Sequence, residues 1–267
     1  MKYNNELKNI DTQEKAYLLG LIYGDGYNGG HKYCSYKIMI SSNNGDLELY
    51  EKLQLLFPFF TLKTYKSHPN MVYLVNHEKS LHLDLKNLGM ISNKTELDKT
   101  GKFHFPDIRE DLVHHFIRGY FDADGSFWYP KRVRSRNNLR TDFGCSTNNF
   151  LLKLKEHLDN NGINFCYKQR SKKASNGKYY MSYSLQSSST ELSKKFADFI
   201  YKDATIYSEY KYNISHKESD VIKAYEIFGV CPKCGSQNII KNGIRGNKHR
   251  LKCNKCSLNF TKPMPTQ

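Results

Sequence analysis

Two aspartates stand where a chain can do metal chemistry. Asp25 closes the stretch Tyr17–Leu18–Leu19–Gly20–Leu21–Ile22–Tyr23–Gly24–Asp25–Gly26, and Asp124 closes Phe116–Ile117–Arg118–Gly119–Tyr120–Phe121–Asp122–Ala123–Asp124–Gly125, 99 positions later. Each stretch is apolar, carries two small residues four apart (Gly20 and Gly24; Gly119 and Ala123) and ends in Asp-Gly. Small residues at that spacing share one helical face, so two such helices can approach backbone to backbone. Gly26 and Gly125 are natural helix stops. Packed this way, the pair sets Asp25 and Asp124 side by side, and two carboxylates so placed bind cations or repel each other. The plain alternative is a generic pair of amphipathic helices, which would place acids anywhere.

A second set of residues carries a different metal signal. Cys231-Pro-Lys-Cys234 and Cys253-Asn-Lys-Cys256 are Cys-x-x-Cys knuckles separated by 18 residues. Four thiolates so spaced suit one tetrahedral structural zinc, which would fold a segment too small to support its own core. A redox pair is the alternative. From Gly229 to the end there are eight Lys+Arg, Arg245, Lys248 and Arg250 among them, and no Asp or Glu. With Zn²⁺ bound the module still carries about +6, which favours a DNA backbone. A cap that only packs on the rest of the protein is the competing reading.

The elements that position these residues are predicted as follows. Asp11 or Thr12 caps a first helix that runs to Gly26. His31–Ser41 alternates as a strand, with Cys34, Tyr36, Ile38 and Ile40 on its apolar side. Asn43–Phe57 is a helix stopped by Pro58, with Leu47, Leu49, Leu53 and Leu56 on its apolar face. Thr61–Lys66 and Met71–Asn76 form a hairpin, and His77–Leu88 is a helix closed by Gly89. The second half repeats the order: strands near Phe127–Tyr129 and Arg140–Ser146, a helix at Asn148–Asn160 ended by Gly162, a hairpin of Asn164–Arg170 with Lys178–Gln186, and a helix at Ser189–Tyr201. Ser188 and Glu191 could form its capping box. The fold class is α+β: two pseudo-symmetric α-β-β-α-β-β-α halves forming an antiparallel β saddle, plus a small C-terminal zinc ribbon. The boundaries are residues 1–100, 101–222 and 229–267.

At these residues the sequence resembles a known family. Both apolar stretches are similar to the signature of LAGLIDADG homing endonucleases, in the single-chain, two-motif form, over about residues 12–215. The first copy has Leu19 at the signature's alanine and Tyr23 at its first aspartate; the second has Arg118 at the alanine but keeps Asp122-Ala123-Asp124-Gly125. The resemblance implies a Mg²⁺-dependent endonuclease in which Asp25 and Asp124 hold two or three ions, helped by the backbone carbonyls of Gly24 and Ala123. It places Lys94 and Lys211, after the last helix of each half, near the metals, polarising water or stabilising the phosphate. It also implies a double-strand cut across the minor groove that leaves short 3′ overhangs. The cysteine segment resembles the zinc ribbons of transposases and related DNA-binding proteins.

Composition agrees with a polyanionic partner. The 267 residues include 41 Lys+Arg against 26 Asp+Glu, a net charge of +15, with 20 Tyr and 15 Phe. The free sheet face should take the DNA, with Lys32, Lys37, Lys63 and Lys66 in the first half. The second half offers Lys131, Arg132, Arg134, Arg136, Arg140, Lys168, Arg170, Lys172, Lys173 and Lys178. Such side chains reach phosphates while strand residues read base edges. Because the halves differ along these strands, the target should be long and non-palindromic, bound by a monomer. No apolar run approaches membrane-spanning length and no signal-peptide core follows Met1, so a bacterial, phage or organellar interior is expected. Isolated Cys34, Cys145 and Cys166 read as ordinary reduced residues. Two rivals remain: a maturase that binds intron RNA on the same scaffold, and a non-catalytic DNA-binding regulator.

Overall fold

The computed structural model describes residues 2–31, 34–43, 46–90, 94, 98, 103–130, 138–173, 177, 179–216, 229–245 and 248–263. The chain divides into two compact units, Met1–Lys217 and Glu218–Gln267. In the first unit, helix α1 (Gln13–Asp25) starts at Thr12, whose Oγ1 accepts from Lys15 N at 3.3 Å. Every residue from Ala16 to Tyr23 is buried, as a helix apolar all round must be. Its partner is α4 (Glu110–Asp124). A Cβ on Gly20 would strike Phe116 O and lie 2.7 Å from Tyr120 N, and one on Gly119 would strike Tyr17 O. The two backbones therefore touch, and only glycine fits at the contact.

Around this pair each half builds the same sheet. In the first, β1 (Gly26–His31), β2 (Cys34–Asn43), β3 (Thr61–Tyr65) and β4 (His68–Asn76) pair antiparallel in the order β1-β2-β4-β3. In the second, β5 (Gly125–Trp128), β6 (Arg140–Cys145), β7 (Cys166–Lys173) and β8 (Tyr179–Ser187) pair as β5-β6-β8-β7. Among the described residues the remaining helices are α2 (Leu47–Leu56) and α3 (Lys79–Asn87) in the first half, and α5 (Asn148–Asn160), α6 (Thr190–Tyr201) and α7 (Glu209–His216) in the second. One apolar core runs through both halves, from Tyr3 and Tyr17 to Phe143, Phe196 and Ile206. The architecture is the expected α+β arrangement with antiparallel sheets.

Local expectations need several corrections. The first sheet opens with β1, which the Gly-rich run Gly26–His31 conceals from any propensity argument; it forms because its backbone pairs with β2. Helix α2 starts at Leu47, and Leu47 and Leu56 are exposed; its buried side is Leu49, Tyr50 and Leu53. The first hairpin turns within Lys66-Ser67, since Tyr65 already pairs with His68. Ser189, not Ser188, caps α6, its side chain accepting from Leu192 N at 3.3 Å. Gly26 and Gly125 do end their helices, but in extended conformation. Gly89, at φ +86°, is the left-handed stop after α3.

The cap of α5 comes from far away in sequence. Asp98, between the halves, accepts from Asn148 N (2.6 Å), Asn149 N (3.1 Å) and Phe150 N (3.0 Å) through its carboxylate. Its own carbonyl accepts from Asn149 Nδ2 at 2.6 Å. Asp98 is buried, and Thr147, the local N-cap residue, makes no capping bond.

The second unit is a three-stranded antiparallel sheet, β11-β10-β9, of β9 (Ile239–Arg245), β10 (Lys248–Cys253) and β11 (Asn259–Pro263). Its core is Cys231, Ile239, Leu251 and Cys253, with Leu258 and Phe260 against it. Among the described residues no helix is long and apolar enough to cross a membrane.

Candidate metal centre and nucleic-acid interface

Asp25 and Asp124 are the last residues of α1 and α4. The helix pair is so close there that a Cβ on Gly24 would overlap the Cβ of Ala123 and lie 3.5 Å from Asp124 Oδ2. A helix C-terminus presents unpaired carbonyls and partial negative charge, which suits a cation. Two lysines answer that demand. Lys94 Nζ donates to Tyr23 O (2.8 Å) and Gly24 O (2.7 Å). Lys211 Nζ donates to Phe121 O (2.8 Å) and Asp122 O (2.6 Å), stopping one residue short of the equivalent register.

The electrostatics join these four groups into one cluster. Both acids reach solvent, yet protein mass crowds the rest of each carboxyl. Burial first, then the charge of Asp124, pushes Asp25 up to about 6, against the pull of Lys211 and Lys94. Burial also raises Asp124, against both lysines and a hydrogen bond from Tyr120. Lys94 is held down to about 8 by burial, with the two acids pulling it back, and Lys211 is lowered by burial too. Two carboxyls that resist ionising and lie under two cations fit a divalent ion, whose charge would relieve them.

Several residues at the site were not singled out by sequence. A cavity of about 430 Å³ beside Asp124 is lined by Lys94, Tyr120, Cys145, Thr147 and Tyr180. The Asp122 carboxylate is taken up by protein groups. It accepts from Tyr17 Oη (2.8 Å) and Ser208 N (2.7 Å) and is crowded by Arg118. Arg118 is wholly buried; its guanidinium donates to Ile206 O (2.9 Å), Ile200 O (3.1 Å) and His115 Nδ1 (2.5 Å) and sits 5.2 Å from the Tyr17 ring. Tyr23, at the position equivalent to Asp122, donates to Leu88 O at 2.5 Å. Tyr23 and Asp122 thus anchor their helices by different chemistry. The one sequence hint was the Arg118–Asp122 spacing of four.

The second sheet turns one face to the helices and leaves the other open, whereas on the corresponding face of the first Tyr73 and Val75 are buried. In the second half Phe127, Phe143 and Leu185 are buried, with Phe196 of α6 against the first two. By alternation Ser126, Asp142, Ser184, Gln186, Lys168, Arg170 and Lys172 stand on the open face. Lys173 reaches the Tyr179 ring at 5.9 Å, and Arg140 stacks on Trp128 at 5.1 Å. Lys37 is half-buried; Lys63 is exposed on β3 and Lys66 in its turn. Lys32, Lys131, Arg132, Arg134, Arg136 and Lys178 lie outside the described residues.

The cysteine site has the dimensions of a four-thiolate metal site. The four Sγ atoms lie within 4.8 Å of one another, with Cys231–Cys256 and Cys234–Cys253 each at 3.6 Å. A tetrahedron of thiolates about 2.3 Å from zinc puts sulfurs roughly 3.8 Å apart, so the residues fit. Lys248 and Arg250 are exposed on β10, and the side chain of Arg245 lies outside the described residues.

Comparison with known proteins gives one domain match. No curated protein matches the chain. Among solved structures, variants of the homing endonuclease I-DmoI are 19% identical, covering 70% of this chain and 90% of theirs at a TM-score of 0.46. The LAGLIDADG homing endonuclease I-GzeII in complex with its DNA target is 11% identical, covering 74% and 86%, at 0.49. The LAGLIDADG meganuclease I-AabMI bound to uncleaved DNA is 14% identical, covering 74% and 86%, at 0.46. Residues 111–201, which include Asp122 and Asp124, match the family model of the LAGLIDADG-like domain. Over those residues the chain is similar to a LAGLIDADG-like domain.

Proposed function

We propose that this chain is a site-specific, Mg²⁺-dependent double-strand DNA endonuclease acting as a monomer. The observation that carries the reading is the convergence of Asp25 and Asp124 at the touching ends of α1 and α4, under Lys94 and Lys211. A net charge of +15 and the matched domain support it. In this reading residues 1–100 and 101–222 are two half-domains, each serving one DNA strand.

Asp25 and Asp124 would hold the divalent ions, with the Gly24 and Ala123 carbonyls as further ligands. When bound, Mg²⁺ supplies activation of water and stabilisation of the attacking and leaving oxygens at a scissile phosphate. Lys94 and Lys211 place positive charge beside that phosphate, fixed before DNA arrives by their bonds to the helix ends. The open sheet faces, with Lys63, Lys168, Arg170 and Lys172, track the backbone and read bases in the major groove. The zinc ribbon extends the footprint. Unlike halves imply a long, non-palindromic target, and the resemblance supports a cut with short 3′ overhangs.

The test is cleavage of a randomised duplex library with Mg²⁺ by the intact chain, Asp25→Asn and Asp124→Asn. The intact chain should cut at a discrete sequence, and both variants should bind it but lose cutting by at least roughly a hundredfold. Binding without cutting by all three would remove the nuclease reading.

A further inference from the structure

The two matching sheet faces are built on the same register but carry different chemistry. Gly26 opposes Ile40, and Ile40 opposes Leu74; Gly125 opposes Phe143, and Phe143 opposes Leu185. One residue further along, the first half sets Tyr27, Met39, Val75 and Thr61 in a row across its four strands. The matching row in the second half is Ser126, Asp142, Gln186 and Cys166. A mostly apolar row faces a polar one across the pseudo-symmetry.

The polar row has a fixed orientation. Gln186 Nε2 donates to Asp142 Oδ2 at 2.7 Å. An ionised carboxylate only accepts, so it compels the amide to turn its nitrogen inward. Burial pushes the Asp142 carboxyl up, but the Gln186 bond and then Arg170, Lys172 and Lys168 favour its ionised form. The Gln186 amide is left with Oε1 and its second N–H. That edge, an acceptor beside a donor, complements adenine, which offers the N6 amino group and N7. Guanine, with two acceptors at O6 and N7, would meet Oε1 with an acceptor of its own. The row borders a cavity of about 390 Å³ lined also by Trp128, Arg140, Asn164 and Lys168. Arg140 Nε is buried there without a hydrogen-bond partner among the described residues.

We infer that Gln186, oriented by Asp142, reads an adenine in the half-site bound by the second half of the chain. The inference rests on the endonuclease reading, since it needs duplex DNA on the open face. The matching position of the first half, Val75, is buried and has no polar side-chain atom, so it cannot make this contact.

The experiment is enrichment of bound duplexes from the randomised library by the full wild-type chain, Gln186→Ala and Asp142→Asn, with cutting of the enriched pool scored separately. Wild type should enrich adenine at one position of one half-site. In Gln186→Ala that preference should fall roughly tenfold or more while the other positions hold. Asp142→Asn keeps the shape but frees the amide to present either edge, so guanine should rise at the same position. An unchanged consensus in Gln186→Ala, or an equal loss at every position, would overturn the inference. If that happens while wild type still enriches and cuts one sequence, the endonuclease reading survives. If wild type enriches nothing, both fall.

Discussion

His115 sits where a proton would be costly. Its Nδ1 accepts from the Arg118 guanidinium, and burial, then that guanidinium, depresses its pKa to about 3. The unfolded chain, with a histidine near its ordinary value of about 6.5, takes up a proton that the folded chain refuses. Stability from this group is therefore complete above about pH 6.5 and is lost as pH falls towards 3. Asp25 and Asp124, raised by burial, act with the opposite sign in the acid range. A comparison isolates the imidazole: denaturant unfolding between about pH 7.5 and 5 should weaken the wild type by about 2 kcal/mol more than His115→Gln. An equal slope would place the proton elsewhere. At this scale the sequence was legible for position: Asp25 and Asp124 close their helices, and Lys94 and Lys211 donate to those helix ends. It was opaque for Arg118 and Asp122, whose roles depend on Tyr17, Ile200, Ile206 and Ser208, brought together only by folding.

Elements show the same division. The α1–α4 contact was readable because Gly20 and Gly119 are the only residue type that allows backbones to touch there. Strand β1 was not, since Gly26–His31 has little strand character and exists by pairing with β2. Nor was the face of α2, where Tyr50 replaces the outer leucines in the core. The cap on α5 was hidden for a different reason: sequence arguments look for it at Thr147, and Asp98 supplies it across 50 residues. Asp98→Ala should cost about 1–2 kcal/mol, the usual loss for an N-cap, with α5 the first helix to lose amide protection in hydrogen exchange. Protection that falls evenly through the chain would argue against a local cap.

For the whole molecule, the charge was legible from composition and the cysteine cluster from its spacing. Among its described residues the second unit has four fully or nearly buried core residues, two of them cysteines, so its stability should depend on zinc. A strong chelator should unfold Glu218–Gln267 and leave the Met1–Lys217 transition within about 1 kcal/mol of its untreated midpoint. Circular dichroism of the chelated chain would check this, and a single unchanged transition would count against a structural metal.

The bond between Asp98 and α5 also bears on how two similar halves are held as one protein. A second half expressed alone from residue 101 would begin after its own helix cap, and a first half ending at residue 100 would carry a cap with nothing to bind. The connector has thus ceased to be a tether and become a shared part. Exchanging halves between related chains would succeed only if the graft carried residues 94–98 with the half they serve, Lys94 pulling one way and Asp98 the other. That small conflict of ownership makes the fusion hard to reverse.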